Sequence, residues 1–445
     1  MMKRLSLFIL LTLFIVVGAV GAQDVVTVTW WMEPSGSDDH VQELIIDAFN
    51  ATHDNIQIEY QPQESINDQL RPALQAGVGP DIVWLAGNAA ASQYVAGGFL
   101  LPLTGYADAY GWADKLLPWA YGAGIVAGDL YSIPVTYESM VLFYNKTVFE
   151  ENGWEVPTTA DELWNLANQT ADMGLVPFPY GNATWQPSNE HLMGIYLNNY
   201  AGPDNVYAAL IGEKAWTDSE FAEATDLLRE HIADLGWFGG SLEDYYSLGG
   251  NDPAAMLASG EGTMMMSGTW MFRGMGPTFA ETGMEWDWAP LPLFSKDADM
   301  QVGPYSYDLA LGGNLGVNAA TEHPEEVGIV LDFLLSDKAR ILELASTTGF
   351  GEWVIPLRYE IDDFPPGTDE RVLRFHSDFA ATTGAGRYGY TAWTFWPARA
   401  NQQLWEAIEL VWAGEMSVEE YLENHAAEWA QDAADGLVLS ILPRE

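Results

Sequence analysis

The sequence predicts an α/β protein built as two lobes, and three observations lead to this fold class. The chain has 445 residues, which is too many for one small hydrophobic core and suits two lobes or domains. β-Branched and aromatic segments alternate with segments of helical spacing, the pattern of a mainly parallel α/β sheet. Hydrophobic residues make up 48% of the chain, more than intrinsically disordered proteins contain, so the main state is folded.

The alternation of strands and helices is clearest in the first part of the chain. Val25–Met32 is β-branched and aromatic and predicts a buried strand. Ile56–Tyr60 alternates as a second strand, and Pro80–Trp84 predicts a short third one. Between these strands, Val41–Asn50 and Ile66–Ala76 have helical spacing. The order strand, helix, strand, helix, strand therefore supports the α/β class.

Three helix starts carry a Ser or Thr followed three residues later by Glu, the capping-box pattern. They lie at Thr159–Glu162, Thr217–Glu220 and Ser417–Glu420. Phe221–Leu235 has apolar residues at helical spacing, and Val327–Leu335 is apolar nearly all round. We expect these helices to form the scaffold, with the last of them well buried.

The N-terminus has the pattern of a secretory signal peptide. A positively charged start precedes the apolar run Leu5–Val17, and small residues follow up to Ala22. We expect residues 1–22 to be removed on export, which places the protein in the periplasm or another extracytoplasmic space. A retained membrane anchor stays open as a second interpretation, although the apolar run is short for a membrane span.

Charge and cysteine content exclude several classes of function. Asp and Glu number 63 against 17 Lys and Arg, a net charge of −46 that repels nucleic acid and disfavours anionic membranes. The chain has no cysteine, so it forms no disulfide, has no Cys nucleophile and lacks the cysteine that anchors bacterial lipoproteins. Its seven His occur at no zinc-binding spacing. We therefore expect no cofactor and no metal. We also expect a monomeric protein.

The segment Ala76–Leu103 (AGVGPDIVWLAGNAAASQYVAGGFLLPL) resembles the extracellular solute-binding proteins of ABC importers. The similarity is to the carbohydrate-binding branch that includes maltose-binding protein. Four further segments resemble this family and follow in its order: Gly128–Ala167, Asp252–Phe272, Ala289–Phe294 and Gly312–Ala339. The five segments span nearly the whole chain that follows the predicted signal peptide.

The resemblance implies a two-lobed periplasmic-binding-protein-like fold of type II. Its lobes are discontinuous, hinge strands join them, and a ligand cleft lies between them. We expect lobe 1 to comprise residues 24–135 and 304–342, and lobe 2 to comprise residues 136–303 and 343–445. The chain is expected to cross between the lobes near Ile133–Glu138, Gly303–Leu309 and Ala339–Gly351.

The function that the resemblance implies is binding without catalysis. The protein would capture a sugar or oligosaccharide in the cleft and deliver it to the permease subunits of an ABC transporter in the membrane. The same fold with a polyamine, a peptide or a glycerol phosphodiester as ligand stays open, and so does a secreted glycosidase. One departure bears on the ligand, since the family often has Asp where this chain has Asn88.

Recognition of a sugar needs flat aromatic faces for its C–H groups and planar polar groups for its hydroxyls. Trp31 and Glu33 lie where the first predicted strand ends and enters a loop, and Asn88 follows the third; ligands bind at such strand ends in α/β sheets. The resemblance adds Tyr137 and Glu138 on a crossover. The same resemblance adds a turn tryptophan, and loops supply the remaining candidates. These further predicted ligand-binding residues are Trp185, Gln186, Trp270, Tyr305, Asp308, Arg387, Trp393 and Trp396.

Overall fold

The computed structural model describes residues 25–294 and 305–443, so the predicted signal peptide lies outside the described residues. The strands are β1 Val26–Met32, β2 Ile56–Pro62, β3 Ile82–Ala86, β4 Ile125–Val126, β5 Asp129–Leu130, β6 Ser132–Pro134, β7 Tyr137–Glu138, β8 Met140–Asn145, β9 Met264–Gly268, β10 Trp286–Ala289, β11 Tyr307–Leu311, β12 Gly313–Val317 and β13 Tyr388–Tyr390.

Helices cover most of the remaining described chain. The α-helices are α1 Asp38–Val41, α2 Ala48–Asn50, α3 Ile66–Gln75, α4 Gly87–Ala96, α5 Thr104–Tyr110, α6 Trp112–Lys115, α7 Pro118–Ala123, α8 Lys146–Asn152, α9 Ala160–Asp172, α10 Asn189–Tyr196, α11 Pro203–Leu210, α12 Ser219–Arg229, α13 Leu242–Ser247, α14 Asp252–Ser259, α15 Phe272–Thr282, α16 Pro324–Leu334, α17 Lys338–Ser346, α18 Glu370–Gly384, α19 Ala392–Phe395, α20 Ala398–Trp412 and α21 Val418–Ala434. Stretches of π-helix occupy Gln42–Asp47, Leu197–Ala201 and Glu230–Asp234, and 3₁₀ turns occupy Gln186–Ser188, Thr269–Met271 and Ile361–Asp363.

Two main sheets form the centres of the two lobes. The first sheet has the strand order β2-β1-β3-β12-β6, and the second has the order β10-β8-β9. In the first sheet β1 is parallel to β2 and β3, whereas β12 is antiparallel to β3 and β6. The second sheet is entirely antiparallel. The predicted α/β class is confirmed. The prediction of a mainly parallel sheet holds for the first sheet, because four of its five strands (β2, β1, β3 and β6) run in one direction and β12, which arrives from the hinge, runs against its neighbours β3 and β6.

A small hinge sheet of order β13-β11-β7 lies between the main sheets. The chain passes from β6 in the first sheet through β7 to β8 in the second sheet. It returns from β11 to β12 through Gly312, with Ala310 opposite Glu138 across the hinge. Nearby, the Tyr137 N–H donates to the Val354 carbonyl. The residue boundaries of the two lobes stay a prediction.

The predicted helix starts are correct at two of three sites. The Thr159 side chain accepts from the Glu162 N–H at the start of α9, and Ser417 accepts from the Glu420 N–H at the start of α21. The predicted start at Thr217 is wrong, since the N-cap of α12 is Asp218 and makes no side-chain cap bond. The physical reason is an ion pair of Lys214 with Glu220 at 2.6 Å, which draws the Glu220 side chain away from the helix end.

Helix α16 confirms the predicted buried helix. Val327, Val330 and Leu331 are buried, and α16 packs against β1 of the first sheet. Arg387, Trp393 and Trp396 are predicted on loops, but β13 and α19 form in this stretch of the chain. A local pattern could not predict this, because β13 is ordered by pairing with β11, which is distant in the chain.

Candidate ligand-binding cleft

A cavity of about 310 Å³, called here the cleft cavity, lies where the two lobes meet the hinge sheet. Its lining comes from both main sheets and from the hinge. The lining residues are Met32, Glu33, Pro34, Ser35, Trp84, Ala86, Val135, Thr136, Glu138, Trp185, Glu190, His191, Trp270, Arg273, Gly312, Gly313, Gly351, Glu352, Trp353 and Trp393. A ligand in this cavity would contact both lobes at once.

Two perpendicular indoles form a corner in the cleft cavity. The ring centroids of Trp270 and Trp393 are 6.1 Å apart, with an angle of 75° between the ring planes. The His191 ring lies 5.0 Å from Trp270 and 4.9 Å from Trp393. Trp185, at 45% exposure, lies at the rim. Flat aromatic faces of this kind cover the apolar faces of a ring-shaped ligand.

A glycine allows Trp270 to take its position. The residue follows β9 in a 3₁₀ turn, and its ring folds back over Gly268 at the strand end. A Cβ atom at Gly268 would lie 1.8 Å from the Trp270 ring, so any larger residue would displace the indole. The sequence Gly-Thr-Trp therefore directs this indole into the cleft.

The floor of the cleft cavity carries a buried carboxyl group from the hinge. Glu138 is 7% exposed, and burial raises its pKa to about 8, with the Arg273 guanidinium acting in the opposite direction. A Cβ atom at Gly312 would lie 2.2 Å from Glu138 Oε1, so the hinge glycine makes room for this carboxyl. At neutral pH the empty cleft therefore holds Glu138 mainly in the protonated form.

Three further acidic side chains surround the floor. Glu33 lies at the exposed mouth, where desolvation by the enclosing walls raises its pKa and Arg273 lowers it. Glu190 is buried, which raises its pKa to about 8, while a hydrogen bond with Asn401 acts against this shift. Glu352 forms an ion pair with Arg273. Arg273, which supplies the one guanidinium among the described lining residues, thus already has an anionic partner.

His191 contributes a neutral polar group to the wall. Its Nδ1 lies 2.7 Å from the Tyr180 hydroxyl, and burial lowers the pKa of the imidazole to about 3. At neutral pH the ring is therefore uncharged. It can exchange a hydrogen bond with a ligand hydroxyl but supplies no positive charge.

The cleft cavity brings together five of the thirteen residues that the sequence predicted as ligand-binding: Glu33, Glu138, Trp185, Trp270 and Trp393. Three of the others are engaged inside the lobes. Asn88 is fully buried and donates from Nδ2 to the Ala123 carbonyl at 2.7 Å. The indole N–H of Trp31 donates to Gln61 Oε1 at 2.8 Å. Trp396 is fully buried and its indole N–H donates to His425 Nε2 at 3.2 Å.

The remaining five predicted residues also lie outside the cleft cavity. Tyr137 lines a separate cavity of about 540 Å³ on the back of the hinge sheet, where its hydroxyl lies 2.6 Å from His376 Nδ1. The Tyr305 hydroxyl donates to Asp378 at 2.8 Å, and the Arg387 guanidinium lies 5.4 Å from the Tyr305 ring. Asp308 is buried against Gly389 of β13, and Gln186 is exposed.

Sequence reasoning missed several lining residues. Trp84 ends the strand segment PDIVW, and Arg273 follows the Trp270 turn by three residues, so both carried a local signal. Glu190 and His191 lie on α10, and Trp353 follows α17, and no local pattern marks them as facing a cleft. Their positions depend on how the lobes pack.

Two α/β lobes, strands that cross between them and a cleft lined from both sides define a two-lobed solute-binding protein. Residues 35–341 match the profile of the family described as bacterial extracellular solute-binding protein. The chain belongs to this family. Within the described ranges 25–294 and 305–443, no helix has the length and apolar character needed to cross a membrane.

Known relatives of the chain are binding proteins. A multiple sugar-binding protein of Streptococcus mutans is 21% identical over 336 residues, which cover 71% of this chain and 73% of that protein. The sn-glycerol-3-phosphate-binding periplasmic protein UgpB of Agrobacterium fabrum is 25% identical over 313 residues, 65% of this chain and 66% of that protein. A solved chitin oligosaccharide binding protein has the same fold, with a TM-score of 0.74 at 16% identity, over 92% of this chain and 100% of that one.

Proposed function

We propose that this protein captures a sugar or short oligosaccharide in the cleft cavity and delivers it to the permease subunits of an ABC transporter. The observation that carries the proposal is the perpendicular pair Trp270 and Trp393 beside the carboxyl group of Glu138. An indole covers the apolar face of a pyranose, and a carboxyl group at its edge exchanges directed hydrogen bonds with hydroxyls.

A second cavity supports a ligand of more than one sugar ring. It has a volume of about 460 Å³ and shares Pro34, Ser35 and Arg273 with the cleft cavity. Thr347 and Thr348 line its far side and offer hydroxyl groups. Because the two cavities share these lining residues they adjoin, which favours an oligosaccharide over a monosaccharide.

Binding would act through closure of the lobes. A ligand that touches the Glu33 side and the Trp270 side at once stabilises the closed arrangement, because its contacts are complete only there. The strands β6–β8 and β11–β12 connect the lobes and are the natural hinge. The closed form would then present both lobe surfaces to the permease.

A phosphate-bearing ligand is a weaker candidate, although UgpB relatives bind sn-glycerol 3-phosphate by name. A phosphate needs unpaired cationic groups or a helix N-terminus. In the cleft lining, the Arg273 guanidinium is paired with Glu352 and is surrounded by further carboxyl groups. We therefore rank glycerol phosphodiesters behind sugars, and peptides and polyamines are further candidate ligands.

We further propose that the protein acts as a monomer without catalysis and is exported by cleavage after Ala22, with no lipid anchor. The absence of cysteine supports the last point. A glycosidase would need two carboxyl groups on either side of a scissile bond. Incubation with oligosaccharides should therefore yield no product, whereas turnover would overturn the proposal of a pure binder.

A thermal-shift screen of the purified protein tests the ligand class. The panel contains neutral mono- and oligosaccharides, glycerol phosphodiesters, spermidine and short peptides. A ligand at 100 times its Kd stabilises a protein by about 2.7 kcal/mol, which raises Tm visibly. A selective rise with sugars supports the proposal. A rise with phosphodiesters or peptides alone would keep the protein family and overturn the sugar assignment.

A further inference from the structure

Acidic residues outnumber basic residues in the lining of the cleft cavity. In the described part of the chain they are Glu33, Glu138, Glu190, Glu352, His191 and Arg273. Arg273 is paired with Glu352, and His191 is neutral because burial holds its pKa near 3. Three carboxyl groups therefore share the cavity without a cation of their own.

Glu138 is the carboxyl group most firmly placed in the cavity. Only 7% of its surface is exposed, and it stands on the hinge strand β7. No hydrogen-bond donor of the described residues pairs with its carboxyl group, and the Arg273 guanidinium acts on it only through space. The backbone is shaped around it, since Gly312 leaves the room that its Oε1 occupies. The carboxyl group faces the cleft cavity, so a donor on the ligand can supply the partner that the described residues do not.

We infer that the cleft selects sugars that carry a protonated amine, so that an amino sugar binds more tightly than the same sugar with a hydroxyl or acetamide group in that place. This inference rests on the proposed function and names the substrate class. An ammonium group supplies the cation that the three carboxyl groups lack. The indole corner of Trp270 and Trp393 holds the sugar ring that carries it.

Proton exchange follows from this arrangement. In the empty cleft, burial raises the pKa of Glu138 and of Glu190 to about 8, so both are mainly protonated at pH 7. A cation within hydrogen-bonding range favours the carboxylate form. The amine therefore enters and stays as an ammonium group, a carboxyl group loses its proton to solvent, and an ammonium–carboxylate hydrogen bond forms. A neutral sugar hydroxyl drives no such release.

The shape of the cleft separates amino sugars from linear polyamines. Two indole faces at 75° match the flat faces of rings and give little advantage to an extended aliphatic chain. The adjoining cavity, which Arg273 also lines, contains the hydroxyl groups of Thr347 and Thr348, which suit a second sugar unit. We therefore favour an aminated oligosaccharide over spermidine.

Isothermal titration calorimetry of the full protein tests the inference with matched ligands. The first set is glucose, glucosamine and N-acetylglucosamine, and the second is cellobiose, the chitosan disaccharide and diacetylchitobiose. The third set consists of the neutral sugar that gives the largest shift in the thermal-shift screen and the analogues of that sugar with an amino or an acetamido group. A charged hydrogen bond can favour the amine by up to about 70-fold over a neutral one, and loss of the Glu138 proton about one pH unit below its pKa offsets about tenfold of this, so we expect the amine to bind about sevenfold more tightly. Titrations in buffers of different ionisation enthalpy should show release of about one proton.

The variant Glu138→Gln tests whether Glu138 causes the preference for the amine, and Glu281→Gln is its control. Glu281 is exposed on α15 away from the cleft lining, and both changes remove one carboxyl group. Glu138→Gln should abolish most of the preference for the amine and the proton release, whereas Glu281→Gln should keep both. Tm of each variant shows that the fold is intact.

The outcomes separate the inference from the proposed function. Neutral or acetylated sugars that bind as tightly as their amines, without proton release, would overturn the amine preference and leave sugar binding in place. An unchanged preference in a folded Glu138→Gln protein would overturn it as well. Binding of spermidine in the absence of any bound sugar, or binding of no ligand at all, would overturn both.

Discussion

At the scale of single residues, the tryptophans of this protein fall into two groups. Some have their indole N–H bonded inside a lobe, as Trp31 has with Gln61 and Trp288 has with the Arg371 carbonyl. Trp270 and Trp393 line the cleft cavity, where a ligand can reach their rings. A missing hydrogen bond does not mark this second group, since the indole N–H groups of Trp30, Trp216, Trp412 and Trp429 have no partner in the described part of the chain and lie outside the cleft lining. The position of a ring in the cavity is therefore what identifies a candidate for ligand contact.

The first prediction contrasts these two groups. Trp270→Ala should weaken ligand binding by about 10- to 100-fold, because it removes one face of the indole corner. Trp31→Ala, which removes an equally large ring outside the cleft cavity, should leave Kd near the wild-type value. Titration calorimetry with the best sugar measures both. Equal losses in the two variants would contradict the assignment of the corner.

The second prediction concerns Asn88, which the sequence proposed as a ligand-binding residue. Its side chain is buried, donates to the Ala123 carbonyl and accepts from the Ser132 hydroxyl at 3.3 Å. Asn88→Ala should lower the free energy of unfolding by about 1–3 kcal/mol, since it leaves buried polar partners unsatisfied. Ligand affinity should not change. Urea unfolding and titration of the same sample separate the two effects, and a loss of affinity at unchanged stability would restore a direct role.

The residue scale also shows how far sequence reasoning reaches into the site. Strand ends predicted the edge where Glu33 lies, but not the direction of each side chain, and Trp31 points to Gln61 of β2 instead. The turn after β9 gave Trp270 a local signal through Gly268. Glu190 has no such signal, because only the packing of α10 brings it to the cavity.

At the scale of elements, a capping-box pattern in the sequence predicts the start of a helix only where its side chains are not engaged by neighbouring charged residues. Ser417 caps α21 as its sequence pattern predicts. Thr217 has the same pattern and caps nothing, because the helix begins later and Lys214 engages Glu220. The same sequence motif can therefore contribute differently to the free energy of unfolding at different sites.

The third prediction uses these two motifs as a matched pair. Ser417→Ala should lower the free energy of unfolding by about 1 kcal/mol, the usual contribution of an N-cap side chain. Thr217→Ala should change it by less than about 0.5 kcal/mol, as expected of an exposed residue without a cap bond. Chemical denaturation measures both. A comparable loss at Thr217 would mean that this residue caps α12 after all.

Strands behave in a similar way at this scale. β1, β2 and β3 were predictable because each is a short β-branched or apolar run, and their mutual parallel pairing follows from the helices between them. β12 and β13 pair with strands far along the chain, β12 with β3 after the crossover through Gly312 and β13 with β11 of the hinge sheet. Their direction and even their existence depend on these distant partners. Local sequence patterns therefore cannot predict the order and direction of strands in a lobe that is built from separate segments of the chain.

At the scale of the whole molecule, burial keeps ionisable groups neutral in the hinge, in the cleft and inside the lobes. Burial raises the pKa of Glu138, Glu190 and Asp308 to about 8. It also lowers to about 3 the pKa of four buried imidazoles: His191, His231, His376 and His425. The carboxyl groups make the fold less stable as pH rises, and the imidazoles make it less stable as pH falls.

The fourth prediction is a stability maximum on the acid side of neutrality. The three buried carboxyl groups stabilise the fold fully below their unfolded pKa near 4, and this contribution is lost as pH rises towards 8. The four imidazoles stabilise it above their unfolded pKa of 6.5, and this contribution is lost as pH falls towards 3. The effects nearly cancel between about pH 4.5 and 6.5, so we expect Tm to be highest there and to fall on both sides.

The alkaline side of this profile carries the sharper test, because it arises from few groups. Each carboxyl group contributes up to about 1.4 kcal/mol per pH unit between pH 6.5 and 8. Asp308→Asn removes one of them at a position outside the cleft cavity, where the side chain is packed against Gly389. Its Tm should therefore fall less steeply than that of the wild type from pH 6.5 to 8.5. Parallel curves for the two proteins would mean that Asp308 is already ionised in the fold and that its charge is balanced there.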